Sequence, residues 1–349
     1  MNDIVSIPIA EYERGRRSSA RFVRTNTNAI MATEYPPIRW VVENYVPEGL
    51  SILAGRQKLG KTWLALDWAI AVASGGAAMG SIFCEVGDVL YIDLENGPRR
   101  IQGRINMLFP GERNRPDLSR LDWVNEAPDL NKGFIPALDD WRISVSDPRL
   151  VVIDVLQRIK PAGKAGQTSY ESDYDAMSAL QRWATEHRVG VLCLHHTRKG
   201  GADDPLEALS GSNGLSACAD TTLLLDRDGN GITLYVRGRD VEEKESALNF
   251  LSGAWNLIGE AAEVRRTDER SRILSALLTA DAPISPREIA VATGMPRNNV
   301  DQLLFKMGKA GELQKSGRGG YVHPDRRDLI KNPDKIDKKV RLGWGEPDE

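Results

Sequence analysis

Cysteine is scarce in this sequence, three residues in 349. Cys84, Cys193 and Cys218 lie in or beside apolar runs and share no ligand spacing. They exclude a disulfide framework and a thiolate metal centre, and read as buried thiols of a reducing, cytoplasmic compartment. Histidine numbers four, and beside the tandem His195-His196 only His187 and His323 remain, too few for a histidine-built metal cluster. No apolar run approaches the length of a membrane span, and Met1-Asn2-Asp3 opens no signal-peptide core, so no membrane partner is expected. Charge of one sign is also lacking: the net charge of −3 neither suggests nor excludes a nucleic-acid partner. What remains is a globular composition, 41% apolar and 27% charged, over a length that allows one large domain and something smaller.

The most informative stretch is Leu50-Ser51-Ile52-Leu53-Ala54-Gly55-Arg56-Gln57-Lys58-Leu59-Gly60-Lys61-Thr62. A short apolar run ends in Gly-x-x-x-x-Gly-Lys-Thr and a helical pattern from Trp63 follows, the strand–loop–helix context of a phosphate-binding P-loop. Glycines at 55 and 60 let backbone N–H groups turn inward around phosphate oxygens, and the helix N-terminus adds partial positive charge. Gly55, Gln57, Lys58, Leu59, Gly60, Lys61, Thr62 and Trp63 form the expected nucleotide cradle. Lys61 would reach the β- and γ-phosphates of a bound nucleoside triphosphate, and the Thr62 hydroxyl would ligate Mg²⁺.

From Trp40 to about Phe250 strand-like runs alternate with helical patterns, which predicts a mostly parallel α/β sheet. The strands are Leu50–Ala54, Asp88–Leu94, Leu150–Asp154, Val189–His195, Thr221–Asp226 and Ile232–Arg237, with helices over Lys61–Ser74, Pro98–Phe109 and Ser172–His187. Leu150-Val151-Val152-Ile153-Asp154 has the form of a Walker B strand, with Asp154 placed to hold Mg²⁺. Val89 to Leu94 is a second apolar strand, ending in Asp93 and Glu95. Glu95 is the chosen base for orienting a water on the γ-phosphate, and Asp93 competes with it. At the end of a further strand, His195 is the preferred hydrogen-bond donor to that phosphate, over a structural role for the pair. Arg237 and Arg239 flank Gly238 at another strand end, as forks that could neutralise transition-state charge or simply a solvated edge.

The two ends differ from this core. Residues 1–35 lack periodicity and carry Arg14, Arg16, Arg17, Arg21 and Arg24, an arginine-rich arm. The core is expected over 36–250, a linker over 251–267, and a charged tail over 326–349. Between these, residues 268–325 predict a winged helix. The elements are an amphipathic helix Asp268–Thr279, a capping box at Ser285-Pro286-Arg287-Glu288, a break at Gly294, a third helix Arg297–Ala310, and a glycine-tipped hairpin.

Taken together, the P-loop, Gly87 to Glu95, Val151 to Asp154, Leu194 to Gly200 and Leu209 to Ser212 resemble the RecA-like ATPases of the hexameric-helicase branch. The similarity covers roughly residues 40–245 and is strongest to the plasmid RepA-type group. It implies a homo-oligomeric, hexameric ring with ATP sites between subunits. It supports Glu95 as base, His195 as sensor and Arg237 or Arg239 as the finger reaching a neighbour. It also implies two loops facing a channel for single-stranded DNA, which supply Arg158, Lys160 and Lys164 and then Arg198 and Lys199. The C-terminal module lies outside that match. Its Arg297, Asn299 and Arg318 are candidate duplex contacts, although residues 268–325 balance eight Lys/Arg against seven Asp/Glu, which suits a protein partner almost as well. The expected function is an ATP-driven DNA translocase or replicative helicase of a plasmid, phage or other mobile element. The alternatives are an ATP-switched DNA-binding regulator and a recombinase-like filament former.

Overall fold

The computed structural model describes residues 24–160, 169–197, 217–229, 231–316 and 319–330. It divides into two units at Ile38. The first unit contributes one short helix, α1 (Thr27–Ala32), opened by Asn26, whose side chain accepts from the Ala29 N–H at 2.9 Å.

The second unit begins with the antiparallel pair β1 (Trp40–Val42) and β2 (Val46–Pro47), followed by β3 (Gly49–Gly55) and α2 (Lys61–Ser74). A small ribbon, β4 (Ala77–Ala78) and β5 (Ile82–Phe83), precedes β6 (Asp88–Asp93), α3 (Pro98–Leu108) and β7 (Leu121–Val124). Then come α4 (Ile135–Ser144), β8 (Pro148–Asp154), α5 (Ser169–His187) and β9 (Gly190–His196). Four strands follow: β10 (Thr221–Asp228), β11 (Gly231–Gly238), β12 (Lys244–Leu251) and β13 (Ala254–Glu260). The chain ends in α6 (Ala261–Thr279), α7 (Pro286–Thr293), α8 (Arg297–Lys309), the hairpin β14 (Gln314–Lys315) and β15 (Tyr321–Val322), and a short 3₁₀ turn over Pro324–Leu329.

Nine strands make one sheet in the order β13-β12-β11-β10-β3-β9-β8-β6-β7. The six from β10 to β7 are parallel, and β11 to β13 extend the sheet antiparallel from β10. The expected mostly parallel α/β core is therefore present. The central strands β3 and β8 bury nearly every residue because apolar layers cover both faces. One layer packs Leu64, Trp68 and Val72 of α2 with Ile101 and Ile105 of α3 against the sheet. The other packs Phe134 and Leu138 with Met177, Leu180 and Trp183. The strand alternation thus decides which end residues share a face with α2.

The structure corrects the linker. Residues 251–267 end β12, form β13 and start α6, which begins at Ala261 rather than Asp268. Polar alternation hides β12 and β13 from a reading based on apolar runs, since they carry Lys244, Glu245, Asn249, Asn256 and Glu260. The capping box of α7 forms as expected, with Ser285 Oγ accepting from Glu288 N–H and Glu288 Oε2 accepting from Ser285 N–H. Helices α6, α7 and α8 enclose their own apolar cluster, centred on Ile273, Leu277, Ile289, Val300, Leu304 and Met307. Tyr321 of the hairpin packs on it.

One acid of α2 is partly buried beside the apolar layer. Asp67 accepts from the Met79 N–H at 2.7 Å, and burial pushes its carboxyl up to about 7 despite that bond. A folded-state value above the unfolded one favours folding below about pH 4, and that contribution disappears as pH rises to about 7. Asp67→Asn keeps an acceptor for Met79 and removes the titration. Thermal melts from pH 5 to 8 should show the variant's stability declining less, with a gain of up to about 4 kcal/mol at pH 8.

Candidate active site

The phosphate loop joins β3 to α2 at the carboxyl edge of the parallel strands. Its shape needs both glycines. A Cβ on Gly55 (φ +152) would sit 2.5 Å from the Leu225 carbonyl oxygen, and one on Gly60 (φ +102) 2.7 Å from Trp255 Cζ2. Gly60 caps α2 with no side-chain hydrogen bond to the first turn, which leaves those N–H donors available to an anion. Lys58 also has positive φ (62°) and is exposed, as is Gln57. Leu59 and Trp63 turn their side chains into the apolar layer, and Trp63 packs near Phe250 with Arg104 above its ring. From these two the loop can offer a ligand only backbone. Arg56, which no sequence motif singles out, pairs with Asp226 at 2.6 Å and fixes the loop to β10.

Lys61 is 4% exposed, and its Nζ donates to the carbonyls of Gly55 at 2.7 Å and Arg56 at 2.9 Å. Burial lowers its ammonium to about 8, against the opposing pull of Asp154 and Glu95. Asp154 ends β8 in register with Asp93 of β6. Burial raises its carboxyl to about 6, a hydrogen bond with Thr62 lowers it, and the charges of Asp93 and Glu95 raise it. Tyr91 Oη donates to Asp154 Oδ2 at 3.3 Å. The structure thus brings Lys61, Thr62 and Asp154 together.

The two competing acids of β6 separate cleanly. Asp93 is fully buried, and its carboxylate accepts from Glu95 N–H at 3.2 Å, Asn96 N–H at 2.8 Å and the Asn96 amide at 3.0 and 3.1 Å. Glu95 is exposed, yet near enough to influence Lys61, Asp154 and His196.

The two histidines take opposite faces of the sheet. Alternation along β9 puts His196 on the face of Leu192 and Leu194, beside α2, and His195 on the face of Val191 and Cys193. His196 pairs in register with Gly55, and its buried Nδ1 lacks a hydrogen-bond partner among the described residues. Burial and the charge of Lys61 push its imidazole below the ordinary value. The neighbour of the chosen residue is the one on the face of the phosphate loop's helix. Strand parity relative to Leu53 and Gly55 is the sequence signal for that face.

Arg237 pairs with Glu243 at 2.5 Å, and Arg239 with Asp220 at 2.8 Å. Asp220 also accepts from Leu50 N–H at the start of β3. Arg239 thus lies at the amino edge of the parallel strands, roughly 16 Å along β3 from its own phosphate loop. Arg158 is exposed and Lys160 half-buried just after Asp154; Arg297 is held by both oxygens of Asp301, at 3.0 and 2.9 Å, and Asn299 is exposed. Lys164, Arg198, Lys199 and Arg318 lie outside the described residues. A cavity of about 470 Å³ opens along the flank of α2, lined by Asp67, Phe109, Arg113, Asn256 and Trp255. It shares Trp255 with the phosphate loop but none of the acids at the strand ends.

Parallel sheet, glycine-walled loop, buried lysine and paired strand-end acids define a P-loop ATPase domain. The chain belongs to the AAA_25 family, an AAA domain, whose model matches residues 16–202. Among solved structures, one ATPase domain is similar at 20% identity and a TM-score of 0.48, over 60% of this chain and 84% of that one. A DnaB-like replicative helicase, solved in a study of its interactions with primase, is similar at 19% identity and a TM-score of 0.46. That match spans 61% of this chain and 58% of the other. Among the described residues no helix is long and apolar enough to cross a membrane.

Gly60→Ala should force both a left-handed alanine and a collision with Trp255. A cost of about 2 kcal/mol or more is expected, with loss of nucleotide binding. Calorimetric melting and titration with a fluorescent ATP analogue check both.

Proposed function

We propose that this chain is an ATP-hydrolysing, ring-forming DNA motor, a helicase or translocase of RepA type from a plasmid, phage or other mobile element. The observation that carries the oligomeric part is the position of Arg239. It lies across the sheet from its own phosphate loop, with a side chain 59% exposed, so a role on a nucleotide requires a neighbour's site.

The residues fit Mg²⁺ and ATP. Gly55 and Gly60 let the loop pass against Leu225 and Trp255 without a side chain of its own, the first turn of α2 is open to an anion, and Thr62 and Asp154 offer hard oxygen donors. When bound, the nucleotide and its metal supply the transferable γ-phosphoryl group. Lys61 would exchange its bonds to the Gly55 and Arg56 carbonyls for phosphate oxygens and neutralise their charge, and Thr62 and Asp154 would hold the metal. Glu95, exposed beside Lys61, orients the attacking water and takes its proton, which the buried and fully engaged Asp93 cannot do. His196, on the face of α2 and in register with Gly55, reads the γ-phosphate in place of His195. Arg239, or Arg237, enters the neighbouring site. Exposed Arg158, with Lys160, follows Asp154 directly and so links the metal acid to a loop that tracks DNA phosphates.

Helices α6 to α8 and the hairpin act as a winged helix. Its Arg297 is engaged by Asp301 while Phe305 and Val291 stand 68% and 79% exposed, which favours a protein partner over duplex DNA.

Strand displacement on a forked duplex tests the reading. Wild type should separate the strands with ATP, and Lys61→Ala should not. Hydrolysis stimulated by single strands without any displacement would overturn the helicase assignment and favour an ATP-driven switch.

A further inference from the structure

A catalytic carboxylate that is exposed has a positioning problem. Glu95 lies on the turn between β6 and α3, where three side-chain torsions already blur the carboxylate, so backbone slack would blur it further. The turn is held from two sides. From within, the Asp93 carboxylate accepts the N–H groups of Glu95 and Asn96 and the Asn96 amide, and Arg100 Nη1 donates to Asn96 Oδ1 at 3.1 Å. From outside, one group closes the bracket. Asn125, the residue just past the end of β7, donates through Nδ2 to the Asp93 carbonyl at 3.1 Å and to the Asn96 carbonyl at 2.9 Å. Those two carbonyls stand on either side of Glu95 in the chain.

We infer that Asn125 is a positioning residue for hydrolysis: its amide clamps the backbone on both sides of Glu95 and fixes where that carboxylate meets the attacking water. The inference rests on Glu95 being the base. Both hydrogens of one amide are used on two carbonyls, and only a primary amide provides two such donors from one planar group at this length. An aspartate of the same size would present acceptors to acceptors. Asn125 itself is remote in sequence from the phosphate loop and forms no part of the metal or nucleotide cradle. Asp93, the competitor for the base, is thereby the inner half of the same clamp.

A double-mutant cycle in the full chain tests this. Asn125→Ala and Asn125→Asp are compared with Glu95→Gln and with the Glu95→Gln/Asn125→Ala double variant, measuring kcat, KM for ATP and melting temperature. Each Asn125 variant should lose about 10- to 100-fold in kcat with KM within about threefold, as expected when a reacting group is misplaced by about an ångström. The double variant should be no slower than Glu95→Gln alone, because positioning a base that is absent contributes nothing. Losses that multiply, or an intact kcat in Asn125→Ala beside an inactive Glu95→Gln, overturn the clamp. Wild-type hydrolysis by Glu95→Gln overturns the base assignment instead.

Discussion

The close approach of β10 and β13 to the phosphate loop is the constraint on which the site depends. Leu225 of β10 closes over Gly55, Trp255 of β13 closes over Gly60, and the Trp255 indole donates to the Gly60 carbonyl at 3.3 Å. Arg56 and Asp226 tie the start of the loop to β10. A phosphate loop in isolation is a flexible glycine turn. Here it is a walled loop whose walls come from strands far later in the chain, Trp255 standing 195 residues beyond Gly60. The antiparallel extension that shapes one nucleotide site also carries Arg237 and Arg239 at its other edge. Any movement of the extension is therefore felt at both ends.

The electrostatics of the site follow from which face each strand-end residue takes. Asp93 and Asp154 lie side by side on adjacent parallel strands, on the face of α2, and both are buried. The neighbouring charge of Asp93 opposes ionisation of the Asp154 carboxyl. Hydrogen bonds from backbone and Asn96 occupy the Asp93 carboxylate, while Asp154 faces Thr62 and has its carboxyl raised to about 6. The division of labour is thus physical. One acid is consumed in holding a turn, one faces Thr62, and the third, Glu95, is left in solvent.

Much of this was legible in the sequence, and what was not has identifiable causes. The phosphate loop, the strands ending in Asp93 and Asp154, and the α7 capping box announce themselves by local pattern. The strands β12 and β13 do not, because a half-exposed antiparallel strand such as Lys244–Leu251 reads as polar. The adjacent residues 251–267 consequently resembled a linker. Trp255 and Asn125 carry no local signature, since their importance lies in contacts made across long stretches of chain. The choice between His195 and His196 turns on strand parity relative to β3, which a tandem pair does not display locally. The difference between Asp93 and Glu95 lies in the engagement of Asp93 by its own turn, and that engagement is visible only in three dimensions.

The central claim is that each site is completed by a neighbour. Mixing Lys61→Ala subunits with Arg239→Ala subunits tests it directly. Each variant alone lacks one half of every site. In random mixed rings, roughly a quarter of the interfaces would join an intact Lys61 to an intact Arg239. The account predicts that hydrolysis, nearly absent in either preparation, returns to roughly that fraction of the wild-type rate. No recovery in rings shown to contain both subunits, or full activity of Arg239→Ala alone, would contradict it.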